Sequence, residues 1–330
     1  METTNSIQGN EPSSAATTII LPAPAPPGTV RLQFGAQTHV GKVRSNNEDQ
    51  YLVARAHKAL DIIATSLQEE QLAQLLQREG YFMLVADGLG GHGGGERASA
   101  LVVKESVRYI METAKWFFRL DDPDQEVRLR LLREALDRVD RVIREEAAID
   151  PTLAGMGSTL TALSVIDADG FLVHVGDSRA YLLRDGKLEQ LTTDHTLVQQ
   201  MVETGVLRPE VAKTHRLRHV VTNVIGASAG VEGEMVNLRL LDGDRLLLCT
   251  DGLTEPVPDD QIAEILLGHP DPQEACRALV EAALDNGGPD NVTVVVAALA
   301  IEHGAESEPP GPESLYEKGS DPLSTEGHIP

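Results

Sequence analysis

Short apolar runs bounded by polar turns make up most of the regular pattern in this chain. Runs typical of strands lie at 31–41, 50–54, 81–86, 157–166, 171–191, 219–225, 235–240, 244–250 and directly after residue 290. The run 171–191 is long enough for three strands. Its Asp185-Gly186 pair predicts a two-residue hairpin turn between the last two.

Helical periodicity appears in fewer segments, where apolar residues recur every three or four positions. The two longest segments, 95–118 and about 121–148, follow one another with no strand between them. Shorter helical patterns cover 57–80, the start of 195–218, 259–267 and 271–285. The first of these, 57–80, predicts a surface helix without evident chemistry.

The stretch 81–95 joins a predicted core strand to the first long helix. The strand Tyr81–Ala86 ends in Asp87, and five glycines lie within the next seven residues. Glycines allow sharp turns and close approach of another group to the backbone. The stretch therefore predicts a carboxylate at the tip of a core strand, in a position suited to binding a cation.

The same glycines also match the G-x-G-x-x-G pattern of dinucleotide-binding proteins, through Gly88, Gly90 and Gly93. This alternative predicts a nucleotide-dependent oxidoreductase. It is disfavoured because the charge of Asp87 would repel a phosphate, and because two consecutive helices leave no strand to complete a βαβ unit.

Acidic residues recur at the ends of apolar strands elsewhere in the chain. Asp177, Asp251 and Asp290, like Asp87, each stand at one end of an apolar strand, and Glu48 and Asp49 lie in the polar loop 44–50 between two predicted strands. One aspartate at a strand end is usually a turn residue, and the loop 44–50 taken alone predicts a hairpin. Several such residues together instead predict a cluster of carboxylates, provided that the strand ends converge.

A carboxylate cluster needs counter-charge to remain ionised. Oxygen ligands with little His or Cys favour magnesium, manganese or calcium over zinc or copper, and the dispersed ligands disfavour a calcium-storage loop. Two hard cations close together suit in-line displacement at phosphorus by a water that bridges them. Arg44, just before Glu48, could hold the phosphoryl oxygens.

Composition and net charge disfavour several classes of function and location. The net charge of −23 over 330 residues argues against binding to nucleic acid or an anionic membrane surface.

Cys249 and Cys276 are expected to be buried thiols in a reducing compartment. No apolar run is long enough to span a membrane, and no basic residue precedes Arg31, so a cytoplasmic protein is expected. Residues 1–30 and 302–330 have the composition of disordered tails.

Six segments together resemble the metal-dependent Ser/Thr protein phosphatases (the PPM or type 2C family) in their bacterial form. They are RSNNEDQ (44–50), VADGLGGHGGGERAS (85–99), GMGSTLTAL (155–163), HVGDSRAYLLRDGKL (174–188), LLLCTDGLTE (246–255) and GGPDNVTVVV (287–296). The resemblance implies an α+β fold, a four-layer αββα sandwich of two antiparallel sheets flanked by helices. It would occupy 31–301, with a flap at about 195–218.

The resemblance also implies roles for the acidic residues. Asp87 would bridge two Mn²⁺ or Mg²⁺ ions. Asp251 and Asp290 would complete the shell of the first ion, and Glu48 and the carbonyl of Gly88 would serve the second, with Asp49 nearby. Asp177 with Asp251 would match a weaker third position, and Arg44 the phosphate-binding arginine. A metal-bridging water or hydroxide would then attack phosphoserine or phosphothreonine in line.

Some features depart from the family pattern. Leu89 stands where eukaryotic members carry a histidine proposed as general acid, His92 is expected only to shape the glycine-rich turn, and the segment 57–80 is longer than usual.

The expected partners are Ser/Thr-phosphorylated proteins, with a Ser/Thr kinase and its substrates as candidates in signalling. The alternative function is a catalytically silent regulatory module, which is disfavoured because no expected metal ligand is missing.

Overall fold

The computed structural model describes residues 19–20, 29–57, 79–91, 93–117, 125–227 and 230–302. Its strands are β1 (Ile19–Ile20), β2 (Thr29–His39), β3 (Gln50–His57), β4 (Glu79–Ala86), β5 (Gly88–Leu89), β6 (Gly157–Ser158), β7 (Leu160–Ile166), β8 (Asp169–Val175), β9 (Arg179–Arg184), β10 (Lys187–Gln190), β11 (Glu234–Arg239), β12 (Arg245–Cys249) and β13 (Val292–Glu302). Its helices are α1 (Gly94–Phe117), α2 (Gln125–Ile149), α3 (Leu197–Glu203), α4 (Pro209–Ala212), α5 (Asp251–Thr254), α6 (Asp259–Gly268) and α7 (Pro272–Asp285), with a 3₁₀ turn at Pro151–Leu153.

The strands form two large sheets. One has the order β1-β11-β8-β7-β4-β3 and the other β10-β9-β12-β13-β2, and β5 and β6 form a separate small pair. Neighbouring strands are antiparallel except β1 and β11. Since β4 pairs with antiparallel neighbours and the next described element after α1 is the helix α2, the structure contradicts the dinucleotide-binding alternative.

Three hydrophobic clusters separate four layers. One lies between the two sheets, one between the six-stranded sheet and helices α1 and α2, and one between the five-stranded sheet and helices α5–α7. Strand β12 shows how the pleat builds them: Leu246 and Leu248 face the other sheet, whereas Leu247 and Cys249 face the helices. Burial on both faces explains the continuous apolar runs, and the predicted αββα sandwich is confirmed.

Both cysteines are buried, as expected. Cys249 and Cys276 are free and buried in the cluster beneath helices α6 and α7. Burial raises the pKa of each thiol to about 12. No helix in the described ranges is long and apolar enough to cross a membrane.

Four expectations from the pattern need correction. The loop 44–50 is not a hairpin, because β2 pairs with β13 and β3 with β4, so the chain crosses here from one sheet to the other. The segment 219–225 is not a strand and forms only isolated bridges at Val221 and Ile225. The ends of the predicted helix 57–80 belong to β3 and β4, and residues 58–78 and His92 lie outside the described residues. Of the tails predicted to be disordered, residues 19–20, 29–30 and 302 belong instead to strands β1, β2 and β13, and the rest lies outside the described residues.

Candidate metal centre

Strand register places the acidic strand ends at one end of the sandwich. In the six-stranded sheet, Ala86 pairs with Gln50, so the residues after β4 lie beside those before β3. In the other sheet, Cys249 pairs with both Arg179 and Val294, which brings together the end of β12 and the starts of β9 and β13. The crossings at 40–49 and 176–178 join these two edges. The predicted convergence of the strand ends therefore occurs.

The carboxylates of the converged ends repel one another. Burial raises the pKa of Asp87 well above its usual value, and the charges of Asp49, Asp251 and Asp177 raise it further. Burial likewise raises the pKa of Asp251, with Asp177 as the largest charge contribution. For Asp177 itself, burial raises the pKa to about 6. Mutual repulsion of this kind marks a site that needs positive charge.

Asp290 and Arg44 form the ion pair of this site. Arg44 Nη2 lies 2.7 Å from Asp290 Oδ2, and both side chains are partly exposed. This contact raises the pKa of Arg44, mainly through the hydrogen bond. A guanidinium has five N–H donors, so a single bond to Asp290 leaves donors for a second anionic ligand.

Asp49 is buried more completely than the other carboxylates of the site. Its Oδ2 accepts hydrogen bonds from the Thr250 and Thr293 hydroxyls at 2.8 and 2.7 Å. Its Oδ1 has no hydrogen-bond partner in the described part of the chain. Burial raises the pKa of Asp49 to about 7 despite the two hydrogen bonds. A buried, incompletely satisfied carboxylate adds to the negative potential that faces the cluster.

Two glycines bring Glu48 and the carbonyl of Gly88 together. A Cβ on Gly95 would lie 2.7 Å from Glu48 Oε2 and 2.7 Å from the Gly88 carbonyl oxygen, so both oxygens border the same point. A Cβ on Gly88 would lie 2.1 Å from the Gly95 carbonyl oxygen. Only glycine permits this approach at either position. These two oxygens are the predicted ligands of the second ion.

Asn291 supports the site and was missed in the sequence. Its Oδ1 accepts from the Glu48 N–H at 2.8 Å, while its Nδ2 donates to the carbonyls of Val40 and Asn46 at 2.9 and 2.8 Å. A Cβ on Gly252 would lie 1.8 Å from the Asn291 carbonyl oxygen, so Asp251 and Asp290 are held close by their neighbours. The adjacent Asp-Asn pair in a turn was the available signal.

The Asp177 turn is anchored by the first residues of the predicted flap. The His195 N–H donates to the Gly176 carbonyl at 2.7 Å, and the Gly176 N–H donates to His195 Nδ1 at 3.1 Å. Arg179 makes two bonds to Asp194, at 2.6 and 2.8 Å. Asp177 is thus flanked on both sides by contacts to residues 194–195.

Two other groups of acidic and histidine side chains place their ligand atoms within 4.8 Å of one another: His174 with His195 and Glu234, and His219 with Asp251 and Glu255. The first is a hydrogen-bond network. His174 Nε2 must donate to the Thr193 carbonyl, so Nδ1 accepts from Thr161, and neither nitrogen is available to a metal.

The second group borders the predicted centre through Asp251. Among the described residues, the predicted ligands do not form a group of three whose ligand atoms all lie within 4.8 Å of one another. Such a separation is expected of like charges that repel. They converge on one end of the sandwich but remain spread over a wider area. The all-oxygen donor set and the shared excess of negative charge fit hard divalent cations.

Comparison with known proteins identifies the family. The family model described as protein phosphatase 2C matches residues 62–284. The chain belongs to the protein phosphatase 2C family. That match includes Asp87, Asp177 and Asp251, whereas Arg44, Glu48 and Asp290 lie outside it and join the site through the fold.

Individual members of the family are similar over most of this chain. The serine/threonine protein phosphatase PstP of Mycobacterium tuberculosis is 37% identical over 270 residues, 82% of this chain and 45% of that protein. This chain thus spans less than half the length of PstP. The protein phosphatase PhpP of Streptococcus pneumoniae is 28% identical over 282 residues, 82% of this chain and 99% of PhpP.

Solved structures of the family share the fold. A crystal structure of the catalytic domain of PstP in complex with two manganese ions has 36% identity and a TM-score of 0.65, and it covers 82% of this chain and 100% of that one. The crystal structure of PstP/Ppp from Mycobacterium tuberculosis has a TM-score of 0.66 and 37% identity. The resemblance inferred from the six motifs is therefore confirmed.

Proposed function

We propose that this protein is a metal-dependent phosphatase that hydrolyses phosphoserine and phosphothreonine in proteins. The observation that carries the proposal is the convergence of Asp87, Asp177 and Asp251 into one mutually repelling cluster. Membership of the protein phosphatase 2C family and the named activity of PstP and PhpP support it. The manganese complex of the PstP catalytic domain supports Mn²⁺ or Mg²⁺ as cofactor.

The side chains are assigned to two or three ions. Asp87 is proposed to bridge two of them, with Asp251 and Asp290 on the first, Glu48 and the Gly88 carbonyl on the second, and Asp177 with Asp251 on a weaker third. Bound ions would supply a Lewis acid for the phosphoryl oxygens and an acidified water as nucleophile.

Arg44 is proposed to orient the phosphoryl group. It lies at the mouth of the site, and its pair with Asp290 holds the guanidinium at the edge of the acidic cluster. A planar fork of N–H donors matches two phosphoryl oxygens. Leu89 lies in β5 opposite Gly157 and has no ionisable group, so this position does not supply a general acid.

The domain boundaries and the partners belong to the same proposal. The phosphatase domain would span 31–301, and helices α3 and α4 would form the flap at about 195–218. Phosphoproteins, including a Ser/Thr kinase and its substrates, are the proposed partners, and the proposed location is the cytoplasm.

Hydrolysis of a phosphothreonine peptide tests the proposal directly. We expect turnover with Mn²⁺ and loss of turnover, on the order of a hundredfold or more, when EDTA removes the metal. Restoring Mn²⁺ after EDTA treatment is the control for damage to the fold. Absence of turnover while calorimetry shows bound manganese would contradict the proposal and favour the silent regulatory module.

A further inference from the structure

A groove leads away from the proposed metal centre. It is a cavity of about 1130 Å³ with Asp177 and Asp251 at its inner end. Helices α3 and α4 form one wall, and the segment 254–260, which includes the start of α6, forms the other. Pockets for single small ligands typically measure about 300–1,000 Å³, so the groove has room for more than one phosphorylated side chain.

The charges along the groove are unevenly compensated. Arg179 is neutralised by its two bonds to Asp194, and Glu255 is shared by His219 at 2.9 Å and Arg218 at 3.8 Å. Among the described residues that line the groove, Lys213 is then the one cation outside an ion pair. A positively charged ligand therefore meets little competition from the protein's own cations.

The outer part of the α6 wall carries two adjacent exposed acids, Asp259 and Asp260. Asp259 accepts a hydrogen bond from the neutral Tyr181 hydroxyl at 3.0 Å, so its negative charge is not cancelled. In the described part of the chain, Asp260 forms no ion pair within 4.0 Å. Both carboxylates line the same groove as Asp177 and Asp251.

We infer that this groove binds the polypeptide flanking the phosphorylated residue and selects substrates with arginine or lysine near it. The inference rests on the proposed function, because it assumes that the phosphate lies at the inner end. The occupant follows from charge complementarity: a basic side chain a few residues from the phosphate would reach Asp259 and Asp260. The net charge of −23 would also attract basic segments over longer distances.

The test uses three phosphothreonine peptides that differ only in their flanks: three arginines, three alanines or three glutamates on each side. The quantity measured is the ratio of kcat/KM between the arginine and alanine peptides, in Mn²⁺ and at low salt. An exposed ion pair contributes about threefold, so we expect a ratio of about tenfold from two acids, which decreases as salt rises.

Two variants separate the groove from the general field of the protein. Asp259→Asn with Asp260→Asn removes both charges and keeps the acceptor for Tyr181, so the ratio should fall to the small residual preference that the overall charge of the protein produces. Glu264→Gln is the matched control: it lies exposed on the same helix, outside the groove, and should leave the ratio unchanged. Thermal unfolding of each variant confirms that the fold is retained.

The outcomes are distinct. Equal rates on arginine and alanine peptides in the unchanged protein would overturn the inference, as would a ratio that the double variant does not reduce. An equal reduction by Glu264→Gln would assign the preference to overall charge and also overturn it. No turnover on any peptide with Mn²⁺ would contradict the proposed function itself, and the inference with it.

Discussion

A buried aspartate precedes strand β12 and a half-buried one follows it, and the two have opposite surroundings. Asp244, before the strand, is 1% exposed and receives two bonds from Arg184 at 2.6 and 2.8 Å. The Leu241 N–H donates to the same carboxylate at 2.7 Å. Asp251, after the strand, faces Asp177, Asp290 and Asp49 instead, and burial with these charges raises its pKa.

The difference lies in the counter-charge and not in the residue type or the strand. A buried acid with a matched cation and backbone donors is a structural group, because its desolvation is offset within the fold. A set of acids without such partners destabilises the folded state, because the carboxylates repel one another. Such a set is tolerated where an external cation binds and offsets the repulsion. Opposite ends of one strand thus show a structural carboxylate and one that we propose binds metal.

The largest expected effect is on activity, from Asp251→Asn. The amide keeps the shape but loses the charge that a metal ligand needs, so hydrolysis of a phosphothreonine peptide in Mn²⁺ should fall by about a hundredfold or more. In EDTA, the thermal midpoint should not fall, because the substitution removes repulsion. Near-normal turnover would contradict the proposal that Asp251 binds metal and that it differs in this from Asp244.

A second expected effect is on stability as a function of pH, from Asp49→Asn in EDTA. Burial raises the pKa of Asp49 to about 7 in the folded protein, so the folded state binds more protons than the unfolded state between about pH 4 and 7. The carboxylate therefore costs stability as pH rises through this window, and the amide does not.

The measurement is the difference in unfolding free energy between Asp49→Asn and the unchanged protein. It should grow from about pH 4 in favour of the variant, level off above about pH 7, and reach a few kcal/mol. The histidines contribute equally to the pH dependence of both proteins, so taking the difference removes their contribution. They include His174, and burial lowers the pKa of this residue to about 3. A difference that is flat with pH would show that Asp49 is not under repulsion.

Local pattern was enough to find the acids, because an acidic residue directly before or after an apolar run stands at a strand end whatever the topology. It also predicted two amphipathic helices at nearly their observed bounds and the hairpin at Asp185-Gly186. These features depend on contacts between residues close in the chain, and so does the alternation that buries β12 on both faces.

Features that depend on distant pairing could not be obtained from local pattern. The loop 44–50 has hairpin composition, yet its flanking strands pair with β13 and β4, so it crosses between sheets. The bond between Arg44 and Asp290 joins residues 246 positions apart. The segment 219–225 has β-branched residues but finds no strand partner beyond two bridges. Motif resemblance supplied what periodicity could not, namely that the acidic ends meet.

The smallest expected effect tests the structural end of the comparison, through Asp244→Asn. The variant keeps the burial but weakens the bonds from Arg184 and from the Leu241 N–H, so unfolding free energy should fall by about 2 kcal/mol, equally in Mn²⁺ and in EDTA. Turnover per folded molecule should be unchanged, because Asp244 lies at the far end of β12. Asp185→Asn is the control, since Asp185 is exposed in the neighbouring turn and asparagine tolerates its φ of 51°. A stability loss that Mn²⁺ reverses would link Asp244 to the metal centre and contradict its separation from Asp251.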